Sequence, residues 1–243
     1  MAFLDRDDAS IHYEITGDDG PVLLLTHGFS SSGDAFAANS AAIVDVGYRL
    51  IRWDLRGHGR TDAGTDPSAY TVELALGDMD ALLDLVGADR AIVGGHSLGG
   101  FLSLGYRIVH PDRVGGLVLI DTGPGYRDDE ARAGWNRFVD RDAVQLTTRH
   151  SPEVAARMML TAEGILKQRD SSVIDSLPAI DVPTLVIVGE DDKAFRGGSE
   201  YMAAKIDGAQ LVVIEGAGHS PNVTHREVFD AALVKFLVGL EVQ

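Results

Sequence analysis

The sequence predicts an α/β fold with a doubly wound, mostly parallel sheet, and three observations support this prediction. Short apolar runs alternate along the chain with longer amphipathic segments, which is the pattern of parallel strands joined by helical crossovers. Some of these runs are apolar throughout, as expected for strands that are covered on both faces. The chain has 243 residues and is 45% hydrophobic, which suits one domain with a sizeable core.

Eight strands are predicted, and most are bounded by glycine, proline or acidic residues. The predicted strands are residues 2–4, 10–15, 22–25, 48–53, 91–94, 117–121, 183–188 and 211–214. In sheets of this kind, functional groups gather at the carboxyl ends of the strands. Six polar residues lie at or just beyond such ends: His27, Asp54, Ser97, Asp121, Asp192 and His219.

Amphipathic helices are predicted between the strands. The helix that follows Thr71 has apolar residues three and four positions apart, so it would bury one face against the sheet. The last helix is predicted to begin at a capping box, Thr224 to Glu227, and carries an apolar stripe that docks it onto the sheet. Further helices are predicted at residues 36–46, 101–109 and 199–206.

One long segment interrupts the alternation of strands and helices. Residues 122–177 contain no strand-like run, only charged helical segments at 130–140 and 152–166. Because this segment lies between two predicted strands, it would emerge above the carboxyl edge of the sheet. The sequence therefore predicts a core of residues 1–121 and 178–243 that carries a helical cap of residues 122–177.

The composition excludes several classes of function. The 21 basic and 37 acidic residues leave a formal charge of −16, which argues against nucleic acid or an anionic membrane as a partner. There is no cysteine, hence no disulfide or cysteine nucleophile, and no histidine–carboxylate spacing that indicates a metal. We expect no cofactor and a small-molecule substrate.

The start of the chain shows no basic segment followed by an apolar stretch, and no apolar run is long enough to span a membrane. We therefore expect a cytoplasmic protein. Its expected oligomeric state is a monomer or a homodimer.

Ser97 lies in the pattern Gly-x-Ser-x-Gly, between a predicted strand and a predicted helix. This pattern is typical of a nucleophile elbow, in which a sharp turn lifts the serine hydroxyl above the sheet. The flanking glycines are needed because a Cβ there would collide with the adjoining strand and helix. A phosphate-binding loop has similar geometry, but the chain lacks the Gly-Lys-Ser/Thr ending of such loops.

A nucleophilic serine needs a neighbouring base, and His219 is the favoured candidate. It follows the last core strand in a glycine-rich loop that can lean across the sheet edge. His27 and His58 lie in tight glycine-containing loops and are predicted to be structural. Strand alternation predicts that the His96 side chain points away from that of Ser97.

The acid that orients the base is one of three aspartates. Asp191 and Asp192 follow the penultimate strand, and Asp121 ends an earlier one. The loop after Gly189 can bring its carboxylate toward His219 on the neighbouring strand, which favours Asp191 or Asp192.

Five motifs in chain order make the sequence resemble the α/β-hydrolase superfamily, specifically its small capped, cofactor-free serine hydrolases. They are His27-Gly28-Phe29, Asp54-Leu55-Arg56-Gly57-His58-Gly59, the Ser97 elbow, Gly189-Glu190-Asp191-Asp192 and Gly218-His219. The resemblance implies a triad of Ser97, Asp192 and His219. In the family's Gly-x-x-Asp motif the acid is the residue three positions after the glycine, which here is Asp192 and not Asp191. It also implies an oxyanion hole from the backbone N–H groups of Phe29 and Leu98.

Departures from related families narrow the reaction. Serine at position 97 disfavours haloalkane dehalogenases and epoxide hydrolases, which need an aspartate there. Carbon–carbon bond hydrolases usually carry asparagine where this chain has His96, and they use a cap arginine to hold an acidic substrate. Four arginines of the predicted cap are candidates for that role: Arg132, Arg137, Arg141 and Arg157.

Hydrolysis of carboxylic esters is therefore the leading hypothesis. Carbon–carbon bond hydrolysis and enol-lactone hydrolysis of the type used in aromatic degradation remain alternatives, as does perhydrolase chemistry. A hydrolase-fold receptor that turns over its ligand slowly is an alternative of another class.

Apolar cap residues are the candidates for substrate contact. They are Trp135, Phe138, Met158 and Met159, which would either face Ser97 or pack the cap onto the core. A cap of this length leaves limited room, so short or medium acyl esters and small lactones are the expected substrates.

Overall fold

A computed structural model describes residues 2–240 and shows one mixed sheet of eight strands. The strands are β1 (Ala2–Arg6), β2 (Ala9–Thr16), β3 (Val22–Thr26), β4 (Arg49–Trp53), β5 (Ala91–His96), β6 (Val114–Ile120), β7 (Thr184–Gly189) and β8 (Gln210–Ile214). Their order in the sheet is β1-β2-β4-β3-β5-β6-β7-β8. β1 pairs with β2 and β2 with β4 in antiparallel fashion, and all other pairs are parallel. The predicted fold class is confirmed.

Helices connect the strands on both faces of the sheet. They are α1 (Ser40–Val44), α2 (Val72–Leu85), α3 (Leu98–Val109), α4 (Asp129–Thr147), α5 (Pro152–Thr161), α6 (Ser172–Ser176), α7 (Arg196–Lys205), α8 (Pro221–Thr224) and α9 (Arg226–Gly239). Between residues 2 and 240, none of these helices combines the length and the apolar character needed to cross a membrane.

The core consists of two apolar layers, one on each side of the sheet. Alternate residues of β3 enter different layers: Leu24 packs in one, and Leu23 and Leu25 pack in the other. All five residues of β3 are buried. The continuous apolar run in the sequence thus has its physical cause in a strand that is covered by helices on both faces.

Two helix predictions need correction. The capping box at Thr224 does not form, because Pro221 starts the separate short helix α8 and Thr224 ends it. The Thr224 hydroxyl donates to the Ser220 carbonyl at 3.1 Å, and α9 begins after His225 without a side-chain cap. Residues predicted as one helix at 36–46 form a 3₁₀ segment, Gly33–Asn39, followed by the short α1.

The segment between β6 and β7 is helical, as the sequence predicts, and it rests on the rest of the molecule. Helices α4 and α5 enclose a small cluster of Val139, Ala143 and Ala162, against which Phe29 packs from the loop after β3. Close approach at Gly164 helps to seat the segment, because a Cβ there would lie 1.7 Å from the Tyr70 carbonyl oxygen. The boundaries of a cap at residues 122 and 177 remain a prediction.

Candidate active site

Ser97 lies at the turn between β5 and α3 in a backbone conformation that is rare for residues other than glycine. Its φ is 53° and its ψ is −114°. Neighbouring groups hold this conformation: the Ser97 N–H donates to the Ile120 carbonyl at 2.9 Å, and the Ser97 carbonyl accepts from the Thr122 hydroxyl at 2.7 Å. Strain of this kind persists only where the surroundings impose it, and it is common at functional sites.

The glycines of the elbow are required by the space around them. A Cβ at Gly95 would lie 2.4 Å from the Thr26 carbonyl oxygen, and one at Gly99 would lie 2.0 Å from the same oxygen. Strands β3 and β5 and helix α3 therefore meet too closely for any side chain at these two positions. This is the physical reason for the Gly-x-Ser-x-Gly spacing.

His219 and Asp192 form a hydrogen-bonded pair at the same sheet edge. The distance from His219 Nδ1 to Asp192 Oδ2 is 2.7 Å. Asp192 is only 5% exposed, and its other oxygen accepts the Phe195 N–H at 3.3 Å. Because a carboxylate accepts from Nδ1–H, the neutral imidazole presents Nε2 as an acceptor. This is the tautomer that a general base needs.

The three candidate aspartates have different surroundings. Asp191 is exposed, whereas Asp192 is buried and reaches His219. Asp121 is fully buried beyond β6, and its Oδ1 accepts the Gly189 N–H at 2.9 Å. The structure thus places Asp192, the aspartate favoured by the resemblance, against His219. Asp121 lies next to Asp192.

Asp121 and Asp192 together hold a proton. Burial raises the pKa of Asp121 to about 8; the Gly189 N–H opposes this rise, and the Asp192 carboxylate adds to it. Burial also acts to raise the pKa of Asp192, but hydrogen bonds from His219 and Asp121 outweigh it and hold that pKa below the usual value. At neutral pH the shared proton therefore belongs to Asp121, and Asp192 carries the charge.

This proton predicts a pH-dependent contribution to stability. From about pH 4 to pH 8 the folded state keeps a proton on Asp121 that the unfolded chain has lost, so stability from this group falls as pH rises. Asp121→Asn cannot titrate. We expect the free energy of unfolding of the variant, relative to that of the wild type, to increase by up to about 4 kcal/mol as the pH rises from 5 to 8. Urea denaturation at each pH measures this difference. The exposed control Asp191→Asn should follow the wild type; parallel pH curves for all three proteins would contradict the assignment.

Two backbone N–H groups are free beside Ser97. Leu98 is the first residue of α3, and Phe29 lies in the loop after β3; neither N–H donates a hydrogen bond within residues 2–240. That loop abuts the serine, since a Cβ at Gly28 would lie 3.2 Å from the Ser97 Cβ. The start of α3 also directs the positive end of its dipole toward this point. Both N–H groups predicted for the oxyanion hole are thus available.

His27 and His58 occupy both ring nitrogens in loop contacts, in line with their predicted structural role. His27 Nδ1 donates to the Gly28 carbonyl at 2.7 Å, and its Nε2 accepts the Leu55 N–H at 3.0 Å. His58 Nε2 accepts the Ser30 N–H at 3.1 Å, and its Nδ1 donates to the Arg56 carbonyl at 3.1 Å.

His96 lies against the loop that carries His219. Its ring centroid is 4.6 Å from that of His219, and its Nε2 donates to the His219 carbonyl. Burial lowers the pKa of His96 to about 3, so the ring is neutral. The contact holds the His219 loop in place.

A cavity of about 130 Å³ adjoins Ser97. Residues from five parts of the chain line it, among them Phe101, Tyr126, Trp135, Leu166, Gln168 and Phe195. Its wall is mainly apolar and contains no Asp, Glu, Lys or Arg among the described residues. Of the four predicted substrate contacts, Trp135 is in this wall.

The other three predicted substrate contacts lie elsewhere. Phe138 is 40% exposed and stacks on Trp135 with centroids 5.4 Å apart. Met158 is 1% exposed in the interior, and Met159 packs against the small cluster between α4 and α5. An apolar stripe shows that a helix has a buried face, but not which neighbour covers it.

Phe195 was not predicted to belong to the site. Its ring stacks on that of His219 with centroids 4.9 Å apart and meets Trp135 edge-on at 6.2 Å. The available signal was its position three residues after Asp192, on the same loop. Gln168 was also missed, and no sequence pattern marks it.

Asp121, Asp192 and His219 are also the described residues whose spacing could hold a metal ion. One potential ligand atom of each lies within 4.8 Å of the others. His219 Nδ1 and Asp192 Oδ2 are hydrogen-bonded to each other, and Asp121 is protonated at neutral pH. The donor set therefore suits a hydrogen-bonded relay better than a cation.

A sheet of this order, with a serine at the β5–α3 turn and a histidine–aspartate pair on the loops after β8 and β7, defines an α/β enzyme of the hydrolase class. A model of the alpha/beta hydrolase family matches residues 22–232, and the chain belongs to this family. The resemblance seen in the sequence is thereby confirmed.

Known relatives span several hydrolytic reactions. A protein of Variovorax paradoxus named "Putative carbamate hydrolase RutD" is 28% identical, over 93% of this chain and 96% of its own. The solved structure of a thermophilic esterase from Thermogutta terrifontis is 29% identical, with a TM-score of 0.77 and coverage of 94% and 93%. That of an enol-lactonase from Burkholderia xenovorans is 25% identical, with a TM-score of 0.77 and coverage of 97% and 99%.

Proposed function

We propose that this protein hydrolyses carboxylic esters through an acyl-enzyme on Ser97. The observation that carries the proposal is the 2.7 Å hydrogen bond between His219 Nδ1 and Asp192, which leaves Nε2 as an acceptor at the edge where Ser97 stands. Neutral imidazole with a free Nε2 is the general base that a serine nucleophile requires.

The reaction proceeds in two halves. His219 Nε2 takes the Ser97 proton as Oγ attacks the ester carbonyl carbon, and the N–H groups of Phe29 and Leu98 stabilise the oxyanion. The protonated His219 then gives its proton to the departing alkoxide. Water, deprotonated by His219, attacks the acyl-enzyme, and the acid leaves as Ser97 regains its proton.

The Ser97 hydroxyl makes no hydrogen bond to another described residue in this structure, His219 included. Catalytic hydrogen bonds are often long before substrate binds and tighten in the complex. The side chain of His219 is 42% exposed, so it has room to make this adjustment.

The cavity favours uncharged substrates over the acidic ones of carbon–carbon bond hydrolases. None of the four cap arginines considered for that role is in the cavity wall. Three of them pair with carboxylates instead: Arg132 with Asp129, Arg141 with Asp142, and Arg157 with Asp62. An anionic substrate group would find no opposite charge among the described lining residues.

The same cavity supports short or medium acyl esters and small lactones. We propose that residues 122–177 act as a cap whose Trp135 contacts the substrate. Similarity to an esterase, an enol-lactonase and a carbamate hydrolase supports acyl transfer to water as the shared chemistry. Enol-lactone hydrolysis remains the second candidate, since it uses the same groups.

Profiling kcat/KM tests this proposal. The panel contains p-nitrophenyl esters of rising chain length, lactones and a vinylogous diketo acid. We expect a maximum at short or medium chains and at least about a tenfold fall on long chains, because excess methylenes do not fit. Highest activity on long chains, or activity confined to the diketo acid, would refute the proposal. Very slow release of the product, together with a melting temperature that depends on the ligand, would indicate the receptor alternative instead.

A further inference from the structure

The cavity beside Ser97 has few polar side chains, and one of them has no assigned role. The Thr122 hydroxyl is used in holding the Ser97 carbonyl. Tyr126 is 41% exposed. Gln168 also lines the cavity, and the proposed hydrolytic mechanism makes no use of it.

The backbone of Gln168 is held firmly by helix α4. Its N–H donates to Asn136 Oδ1 at 2.9 Å, and its carbonyl accepts from Asn136 Nδ2 at 2.9 Å. This reciprocal pair places Gln168 without help from its own side chain. The carboxamide is therefore not needed to hold the segment together, because the backbone bonds to Asn136 already fix the position of Gln168.

The carboxamide itself lacks partners. Gln168 Oε1 is buried without a hydrogen bond, close to Gly125, where a Cβ would lie 2.9 Å from it. Nε2 likewise makes no hydrogen bond to any residue from 2 to 240. A buried polar group without a partner destabilises a fold, so its presence in a cavity wall calls for a functional reason.

We propose that Gln168 is a specificity-determining residue that donates a hydrogen bond from Nε2 to an uncharged oxygen of the substrate. Because Oε1 is buried, the amide nitrogen is the end of the carboxamide left to meet a ligand. The absence of charged side chains from the described cavity wall favours an uncharged oxygen, such as that of a ketone or an ether, over a carboxylate. The inference rests on the proposed esterase function and narrows its substrates to oxo- or alkoxy-substituted esters and lactones.

Two matched pairs of esters test this inference. The acyl pair is p-nitrophenyl pentanoate and p-nitrophenyl 4-oxopentanoate; the alcohol pair is butyl butanoate and 2-methoxyethyl butanoate. Each pair is similar in size and differs in one acceptor oxygen. The quantity measured is the ratio of kcat/KM within a pair, compared between wild type and Gln168→Met, so that differences in intrinsic reactivity cancel.

We expect Gln168→Met to lower the oxygen-to-alkyl ratio about 3- to 10-fold in one pair, as for loss of one neutral hydrogen bond. The affected pair identifies the half of the substrate that occupies the cavity. The melting temperature should not fall, because the variant removes a buried acceptor without a partner. Gln145→Met, at an exposed position of α4, is the control and should match the wild type.

The outcomes separate the two proposals. If the wild type hydrolyses these esters and Gln168→Met leaves both ratios unchanged, the inference about Gln168 is wrong and the esterase function stands. An equal fall in kcat/KM on all four esters would indicate that Gln168 has a purely structural role. That result would also overturn the inference about Gln168. If the wild type hydrolyses none of the esters, the proposed function fails and this inference fails with it.

Discussion

Ser97→Ala is expected to lower kcat on p-nitrophenyl esters by about four to six orders of magnitude. The change removes the nucleophile, so only the oxyanion-stabilising N–H groups and substrate binding remain to accelerate the reaction. Alanine keeps a Cβ in the strained turn and should leave the fold intact. A fluorophosphonate probe should label the wild type once and should not label the variant.

Ser103→Ala is a matched control for this experiment. Ser103 lies in the same helix, α3, and is buried, but its hydroxyl donates to the Gly99 carbonyl at 2.8 Å. Its removal should change neither labelling nor kcat. Labelling or turnover that persists in Ser97→Ala would show that another residue is the nucleophile.

Asp192→Asn should lower kcat by about four orders of magnitude. An asparagine side chain can offer an N–H to His219 Nδ1, which drives the imidazole proton onto Nε2. That nitrogen would then be a donor toward Ser97 and could no longer take its proton. The measurement is kcat on the best ester of the panel, with circular dichroism to verify the fold.

The neighbouring residue provides the control for this change. Asp191 has the same chemistry but is exposed and outside the pair with His219, so Asp191→Asn should stay within about threefold of the wild type. The reverse result would show that the acid is misassigned. A large loss of kcat in Asp121→Asn alone would point to the strand end after β6 as the source of the acid.

The pattern of apolar and polar residues predicted most of the architecture, because each strand is formed by a few residues that are consecutive in the chain. The run at β3 is buried at all five positions, which is why it is apolar at four of them. Hydrophobic periodicity and glycine spacing both reflect backbone geometry within a few residues. The failed capping box shows the limit: whether Thr224 caps a helix depends on Pro221, which starts a separate turn just before it.

The site divides in the same way. Ser97, Asp192 and His219 were selected by motif, and their convergence follows from parallel strands whose carboxyl ends meet at one edge. His96, Phe195 and Gln168 were not selected. Their positions depend on how the loops after β7 and β8 and the segment before α6 fold against one another.

By itself, the sequence determined the order of strands and helices, the elbow at Ser97 and the candidates for base and acid, because those features depend on contacts between residues close in the chain or on the fixed direction of parallel strands. Only the tertiary structure decided where the proton near Asp121 resides and which side chains enclose the cavity. Those properties depend on distances of a few ångströms between residues far apart in sequence, and on the burial that packing imposes. Residue spacing does not encode either quantity.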